Sequence, residues 1–394
     1  MPPTITEIET IEFGYAVDDV GTTPERGVPC YDPGNVFERT RFAVRIHTDE
    51  GISGGSISFL GDAGRVQVEM AARTIIGENP LHREKLWVEM RNRLFRSGQM
   101  GVGPLDIALW DLSGRYFDAP IHELLGTFRE RLPTYATTLF ADEAGGLDSP
   151  EAYADFAEQC LDLGYLGYKI HGFEEPWDDE AEMARRNIAI VEAVADRVGG
   201  KMDLMLDSLS KYDTWARALD VGRALDANGF RWYEDPYGNG EAPQSGHRRL
   251  RDRLETPIVQ GEPYVGTYSF TDQIDADAID ILHIEPESHG GITGTMKIAH
   301  AAESHGLDVQ IHGPGPDRRQ CVAAIRNTLY YENAMVHPDC PNPVRNPAYA
   351  GEYSDALDCV DENGTVPVPD GPGIGIEIDW EYIEANAVEH NTFT

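Results

Sequence analysis

The sequence predicts an α/β chain, a parallel (β/α) barrel preceded by an α+β unit, and three observations predict it. From residue 133 onward, eight short apolar runs alternate with loops and helix-like stretches. The last seven runs each finish on an ionisable residue, as barrel strands do when their C-terminal ends build a site. No G-x-G-x-x-G follows a strand, although a doubly wound nucleotide-binding sheet would want that turn.

In chain order, the part up to residue 128 is mixed. The run TRFAVRIHT (40–48) alternates like a half-buried strand, and Asp49-Glu50-Gly51 follows as a turn. Residues 63–97 and 104–126 read as helices; in the second, Leu105, Ile107, Ala108, Leu112 and Tyr116 recur at helical spacing. The eight runs are PTYATT (133–138), GYKIH (167–171), DLMLD (203–207), RWYE (231–234), PIVQGE (257–262), DILHIE (280–285), DVQIH (308–312) and TLYYE (328–332). Helix-like stretches between them include 180–198 and 293–306. The segment from Pro367 to Gly375 is rich in Pro and Gly and is expected to lead a final strand back to the first unit.

Composition bounds the partners. A chain of 394 residues is too long for one ordinary compact core, so a barrel plus a smaller domain is the prior. No signal peptide and no run of about twenty apolar residues occurs, which predicts a soluble, cytoplasmic protein. Five cysteines (Cys30, Cys160, Cys321, Cys340, Cys359) lack paired spacing, which fits a reducing compartment and argues against a thiolate metal site. The net charge of −36, from 68 acidic and 32 basic residues, argues against nucleic-acid and anionic-membrane partners. A solvated acidic surface is the plain reading. With only five lysines against 27 arginines, adaptation to a salty cytoplasm is the sharper one.

The strand ends carry the chemistry. Asp207, Glu234 and Glu262 are 27 and 28 residues apart, one βα unit each, so they sit on adjacent strands. Three unpaired carboxylates that close would repel, and a hard divalent cation such as Mg²⁺ removes the repulsion; three separately salt-bridged acids are the bland alternative. Glu285 precedes His312 by 27 residues, so an acid–histidine dyad is plausible, with the acid orienting the ring; a lone structural histidine is the alternative. Residues two apart on a strand face one side, so Lys169 and His171 should both enter the barrel mouth opposite His312. A lysine near Mg²⁺ can have a lowered pKa, suiting a base or a carboxylate clamp, whereas a buried Lys–Glu pair is the structural reading. Glu332 would close the ring and, if protonated, hydrogen-bond a developing oxyanion.

Together these motifs resemble the enolase superfamily in its mandelate racemase-like branch. The matching segments are GYKIH, MLD, YEDP, QGEP, IEPESHGGITG and QIHG, with ALWDLSGRYFDAPIHELLG resembling the end of that family's capping domain. The resemblance covers nearly the whole chain. It implies a modified TIM (β/α) barrel (129–365) under an α+β capping domain (1–128, completed by about 366–394), with loops near 16–37 and 49–55 covering the site. It further implies Mg²⁺ on Asp207, Glu234 and Glu262, abstraction of the proton α to a carboxylate, and a homo-oligomer. Two departures stand out: His171 replaces the second lysine of the pair, and the dyad acid is Glu285 where an aspartate is usual. The sixth strand also lacks the catalytic lysine of the muconate-cycloisomerase branch, since Lys297 lies inside the following helix; this argues against that branch's cycloisomerases and epimerases.

The expected reaction is dehydration of an acid sugar, an aldonate or aldarate, to a 2-keto-3-deoxy acid. His312 would take the C2 proton and return a proton to the departing 3-hydroxyl. The alternatives are a racemase or epimerase using Lys169 or His171 opposite His312, and a catalytically silent binding protein.

Overall fold

The structure is a computed structural model that describes residues 2–23, 27–140, 145–173, 179–238, 243–340 and 342–394. It begins with two long strands, β1 (Ile5–Thr22) and β2 (Pro29–Thr48), followed by β3 (Ser53–Ser58). With the last strand, β13 (Ala387–Phe393), they form an antiparallel sheet in the order β13-β1-β2-β3. Helices α1 (Gly61–Ala72), α2 (Arg83–Arg93), α3 (Val102–Phe117) and the short α4 (Ile121–Leu125) follow. Ile8, Phe42, Val44 and Ile46 of the sheet share a buried cluster with Val68, Leu86, Leu105 and Leu109 of the helices, so period-2 strands and period-3.6 helices close one core.

The region expected as a single helix over 63–97 is two. Gly77 adopts φ 82° and Pro80 follows, so neither the backbone nor the missing N–H can continue a helix there. The 104–126 helix also divides, because Asp118 turns left-handed at φ 52° and caps α3.

The second sheet is parallel and curled. Its strands are β4 (Arg131–Thr138), β5 (Gly167–His171), β6 (Asp203–Asp207), β7 (Trp232–Glu234), β8 (Ile258–Gln260), β9 (Ile281–Ile284), β10 (Asp308–Ile311) and β11 (Tyr331–Val336). They lie in the order β10-β9-β8-β7-β6-β5-β4-β11, and the short β12 (Thr365–Pro367) pairs antiparallel with β4. Between them run α5 (Pro150–Leu163), α6 (Glu180–Val198), α7 (Trp215–Asn228), α8 (Gln244–Arg251), α9 (Tyr268–Asp275), α10 (Gly291–Ser304) and α11 (Pro316–Ala324), with α12 (Trp380–Ala385) near the end. Among the described residues no helix is long and apolar enough to cross a membrane.

The last apolar run is split in two. Thr328 bridges Val309 of β10, whereas the ladder with β4 begins at Tyr331. Glu332 is therefore near the start of β11, not at its end. That one bridge joins β10 to the residues just before β11, so the strands form a curled sheet whose edges approach each other.

The two parts meet along α3 and α10. A Cβ on Gly103 would lie 2.0 Å from the Glu287 carbonyl, so only glycine permits this approach. Trp87 donates to the Gly290 carbonyl at 2.8 Å, Trp110 donates to Thr293 Oγ1 at 2.9 Å, and the buried Asp106 accepts the Thr293 N–H at 2.8 Å.

Candidate active site

Alternation along β5 sends Tyr168 and Ile170 into the core shared with the outer helices and leaves Lys169 and His171 on the inner face. Lys169 is 1% exposed and donates to Glu234 Oε1 and Glu332 Oε1, both at 2.8 Å, with Asp207 Oδ2 3.8 Å away. Burial works against its charge, but Glu234 and Glu332 push its pKa well above the ordinary lysine value. The two carboxylates make this the setting of a buried Lys–Glu pair. His171 is engaged at both nitrogens, Nδ1 at 2.7 Å from the Thr138 carbonyl and Nε2 at 2.9 Å from Asp207 Oδ2. The ring stacks on Phe140 at 4.7 Å.

Asp207 and Glu234 end neighbouring strands, and Glu262 follows the third. Asp207 Oδ1 accepts the Leu209 N–H at 2.7 Å; burial acts to raise its pKa, but His171 and Lys169 hold it below the carboxylate range. Glu234 is fully buried, its Oε2 accepting the Trp232 indole N–H at 3.1 Å. Burial raises the pKa of Glu234, Glu262 and Asp235, and the charge of Asp207 adds to all three. Asp235, held at φ 39°, has a buried Oδ1 with no hydrogen-bond partner.

This excess of buried carboxylate is what a hard cation relieves. Glu234, Glu262 and His283 offer one ligand atom each, all within 4.8 Å of one another. Asp207 stands beside this group, facing His171 and Lys169. His283 is fully buried, its Nδ1 lies 3.3 Å from Glu234 Oε1, and neither ring nitrogen forms a hydrogen bond among the described residues. The donor set therefore suits a divalent ion.

Across the cavity, His312 Nδ1 pairs with Glu285 Oε2 at 2.7 Å, and Nε2 faces Glu262 Oε1 at 3.5 Å. Burial works to lower the His312 pKa, but Glu262 and Glu285 raise it to about 10. Glu285 Oε1 accepts from Arg318 at 2.6 Å and from the Glu287 N–H at 2.9 Å. Arg318 also donates to the His312 carbonyl at 3.2 Å. Glu332 accepts from Thr137 Oγ1 and the Gly313 N–H, both at 2.7 Å, as well as from Lys169. Burial opposes its ionisation, but Lys169 and His312 hold its pKa below the ordinary range. All three of these contacts are donors, so Glu332 serves here as an acceptor and not as the oxyanion donor it would be if protonated.

Lys169, His171, Asp207, Glu262, His312 and Glu332 all line one cavity of about 560 Å³. Glu234 and Glu285 lie behind that surface. Over the mouth sit Tyr15, Val28, Pro29, Arg39, Arg41 and Phe59 from the antiparallel sheet, and Asn342 to Asp355 from the segment after β11. The covering loop expected at 16–37 is mostly strand, since β1 and β2 extend as a hairpin to Thr22 and from Pro29; residues 24–26 lie outside the described residues. The other, 49–55, lines none of the cavity. Gly54 instead packs on α3, where a Cβ would meet the Leu112 nitrogen at 2.3 Å.

Sequence reasoning missed His283, Asp235 and Arg318. The same-face rule that joined Lys169 to His171 also joins His283 to Glu285, so His283 was within reach. Asp235 sits in the YEDP motif itself. Arg318 lies six residues after His312, past a Gly-Pro turn whose course the sequence does not fix.

The family described as Enolase C-terminal domain-like matches residues 152–382, and the Mandelate racemase / muconate lactonizing enzyme N-terminal domain matches 33–126. A D-galactarolactone cycloisomerase of Agrobacterium fabrum is 30% identical over 367 residues, covering 86% of this chain and 89% of its own. A D-xylonate dehydratase of Haloferax volcanii is 26% identical, covering 89% and 86%. The crystal structure of D-glucarate dehydratase from Agrobacterium tumefaciens, complexed with magnesium, superposes with a TM-score of 0.88 at 29% identity, covering 98% of this chain and 99% of that one. The cycloisomerase relative limits the sequence-based exclusion to chemistry that needs a lysine on the sixth barrel strand.

Proposed function

We propose that this chain, which belongs to the enolase superfamily in its mandelate racemase-like branch, is a magnesium-dependent dehydratase of a sugar acid. Dehydratases among its relatives place it with the carbon–oxygen lyases. The parallel strands would act as a modified barrel, with the antiparallel sheet and α1–α4 as its cap and the boundary near residue 128. The thiols of Cys160, Cys321, Cys340 and Cys359 fit a cytoplasmic enzyme.

Asp207, Glu234 and Glu262 would hold Mg²⁺, with His283 adjoining. When bound, the ion supplies charge stabilisation to the enediolate that forms as the α-proton leaves. The chain's own residues do the rest. Lys169 holds Glu234 and Glu332 in place through its two 2.8 Å contacts. His171 orients Asp207. With Glu262 engaged as a metal ligand its hold on the His312 proton would lessen, and the neutral ring takes the C2 proton at Nε2; its imidazolium, stabilised by Glu285, returns a proton to the 3-hydroxyl as the C3–O bond breaks. Water leaves, and the enol becomes a 2-keto-3-deoxy acid.

One observation carries this reading. Of the three bases considered, only His312 has a ring nitrogen turned to the cavity with an acid fixing the other side. Lys169 is held by two carboxylates and His171 is engaged at both nitrogens. One base on one face suits elimination, whereas 1,1-proton transfer needs a second. A panel of aldonic and aldaric acids, incubated with the enzyme and Mg²⁺ and scored for keto acid, tests it. At least one acid should yield keto acid, and chelation should stop it; formation that is indifferent to chelation refutes the metal role.

A further inference from the structure

The wall contributed by the antiparallel sheet contains an unexplained charge. Tyr15 of β1 and Arg39 of β2 are register partners, and Arg41 is two residues along on the same face. All three line the cavity that holds the barrel residues. Arg39 is 5% exposed, yet its Nε and Nη2 make no hydrogen bond of good geometry among the described residues, and the Tyr15 hydroxyl beside it is a neutral, loosely placed neighbour. After burial, Arg41, Tyr15 and Cys340 act most strongly on its charge. Among the described residues Arg41 donates to the carbonyl of Thr40, at 3.2 Å, and lies over the Phe59 ring.

The chain treats its other buried arginines differently. Arg318 is paired with Glu285, Glu287 and Asp317, and Arg319 with Asp355. Acidic residues outnumber basic ones by 68 to 32, so a carboxylate partner for Arg39 was readily available. A buried guanidinium without an anion is costly, and planar donors of this kind match a carboxylate in two-pronged fashion. The cavity therefore has two anion-seeking regions. One is the metal and Lys169 neighbourhood on the barrel; the other is Arg39, Arg41 and the Tyr15 hydroxyl on the opposite wall.

We propose that Arg39, seconded by Arg41 and Tyr15, binds a second carboxylate at the far end of the substrate, which makes the substrate a dicarboxylic sugar acid, an aldarate in preference to an aldonate. This rests on the sugar-acid dehydratase reading and names the substrate class for that site. An aldarate and the aldonate of the same C2–C5 configuration differ only at carbon 6, carboxylate against hydroxymethyl. Discrimination between them thus isolates the second carboxylate.

The test compares kcat/KM for D-glucarate with D-gluconate, and for galactarate with D-galactonate, in the wild type, Arg39→Met and Arg39→Lys, with Mg²⁺ present. The wild type should prefer the diacid by about 30-fold or more, the size expected for one charged hydrogen-bonded contact. Arg39→Met should bring the ratio towards one, with Arg39→Lys between. The ratio cancels any general damage to the fold, and Arg39→Lys serves if the methionine variant does not fold. Keto acid formed mainly from the monoacids, or a ratio unmoved by either variant, overturns the proposal while leaving dehydration standing. If no acid is turned over, the dehydration reading fails instead. Calorimetric binding to His312→Asn then decides the carboxylate site on its own. Tighter binding of the diacid that is lost on adding Arg39→Met supports the site, and equal binding, or none of either acid, overturns it.

Discussion

At His312 the controlling contact is on the side away from the cavity. Nδ1 is tied to Glu285 at 2.7 Å, and Glu285 is tied to Arg318, so ring orientation and basicity are set from behind. Glu285 helps raise the His312 pKa, and a general base works when neutral. In Glu285→Gln the pKa falls, so the acid limb of the kcat/KM profile should move to lower pH while the plateau drops; an unmoved limb contradicts the dyad. Glu262→Gln should weaken Mg²⁺ binding by at least about tenfold in calorimetry and lose turnover with it, given the charge removed beside Asp207 and Glu234. Normal turnover in that variant would refute its role as a ligand. These residues were legible because strand-end position and βα spacing are one-dimensional. The protonation states of Lys169 and Glu332 were not, because they depend on which acid faces which base across the sheet.

The junction of α3 with α10 makes a prediction at the scale of elements. Asp106 is fully buried on α3 and accepts the Thr293 N–H of α10; burial raises its pKa from 3.8 to about 7. Between those values the folded state keeps a proton that the unfolded state has lost, so stability falls as pH rises, by at most about 1.4 kcal/mol per unit. Asp106→Asn removes this dependence. The Tm of the variant minus that of the wild type should grow from pH 5 to pH 8, and a constant difference would refute the buried acid. At this scale the sequence disclosed all eight parallel strands, since each is a short apolar run between breakers. It misjudged the 63–97 helix, where Gly77 and Pro80 outweigh the apolar pattern. It also misplaced the last strand, because Thr328 belongs to one neighbour and Tyr331 to another. The long β1–β2 hairpin was missed because the outer half of β2 is mostly exposed and carries no alternating signal, although Phe13, Tyr15 and Val17 of β1 alternate and could have found it.

Over the whole molecule, the charge of −36 is a self-repulsion that salt screens. We propose that the surface is suited to high salt, and the Tm should rise between about 0.05 M and molar KCl; an unchanged Tm removes the idea. Composition speaks to the solvent and is silent on the substrate. The substrate-facing wall combines β1, β2 and the segment from Asn342 to Asp355, which are brought together only by folding. The central claim is that one histidine, backed by an acid, drives elimination. The most direct measurement is NMR of the product formed in D₂O from a sugar acid with enzyme and Mg²⁺. A 2-keto-3-deoxy acid carrying deuterium at C3, absent with His312→Asn, is the predicted result. An acid that keeps every hydroxyl, gains deuterium at C2 and yields no keto acid would contradict it.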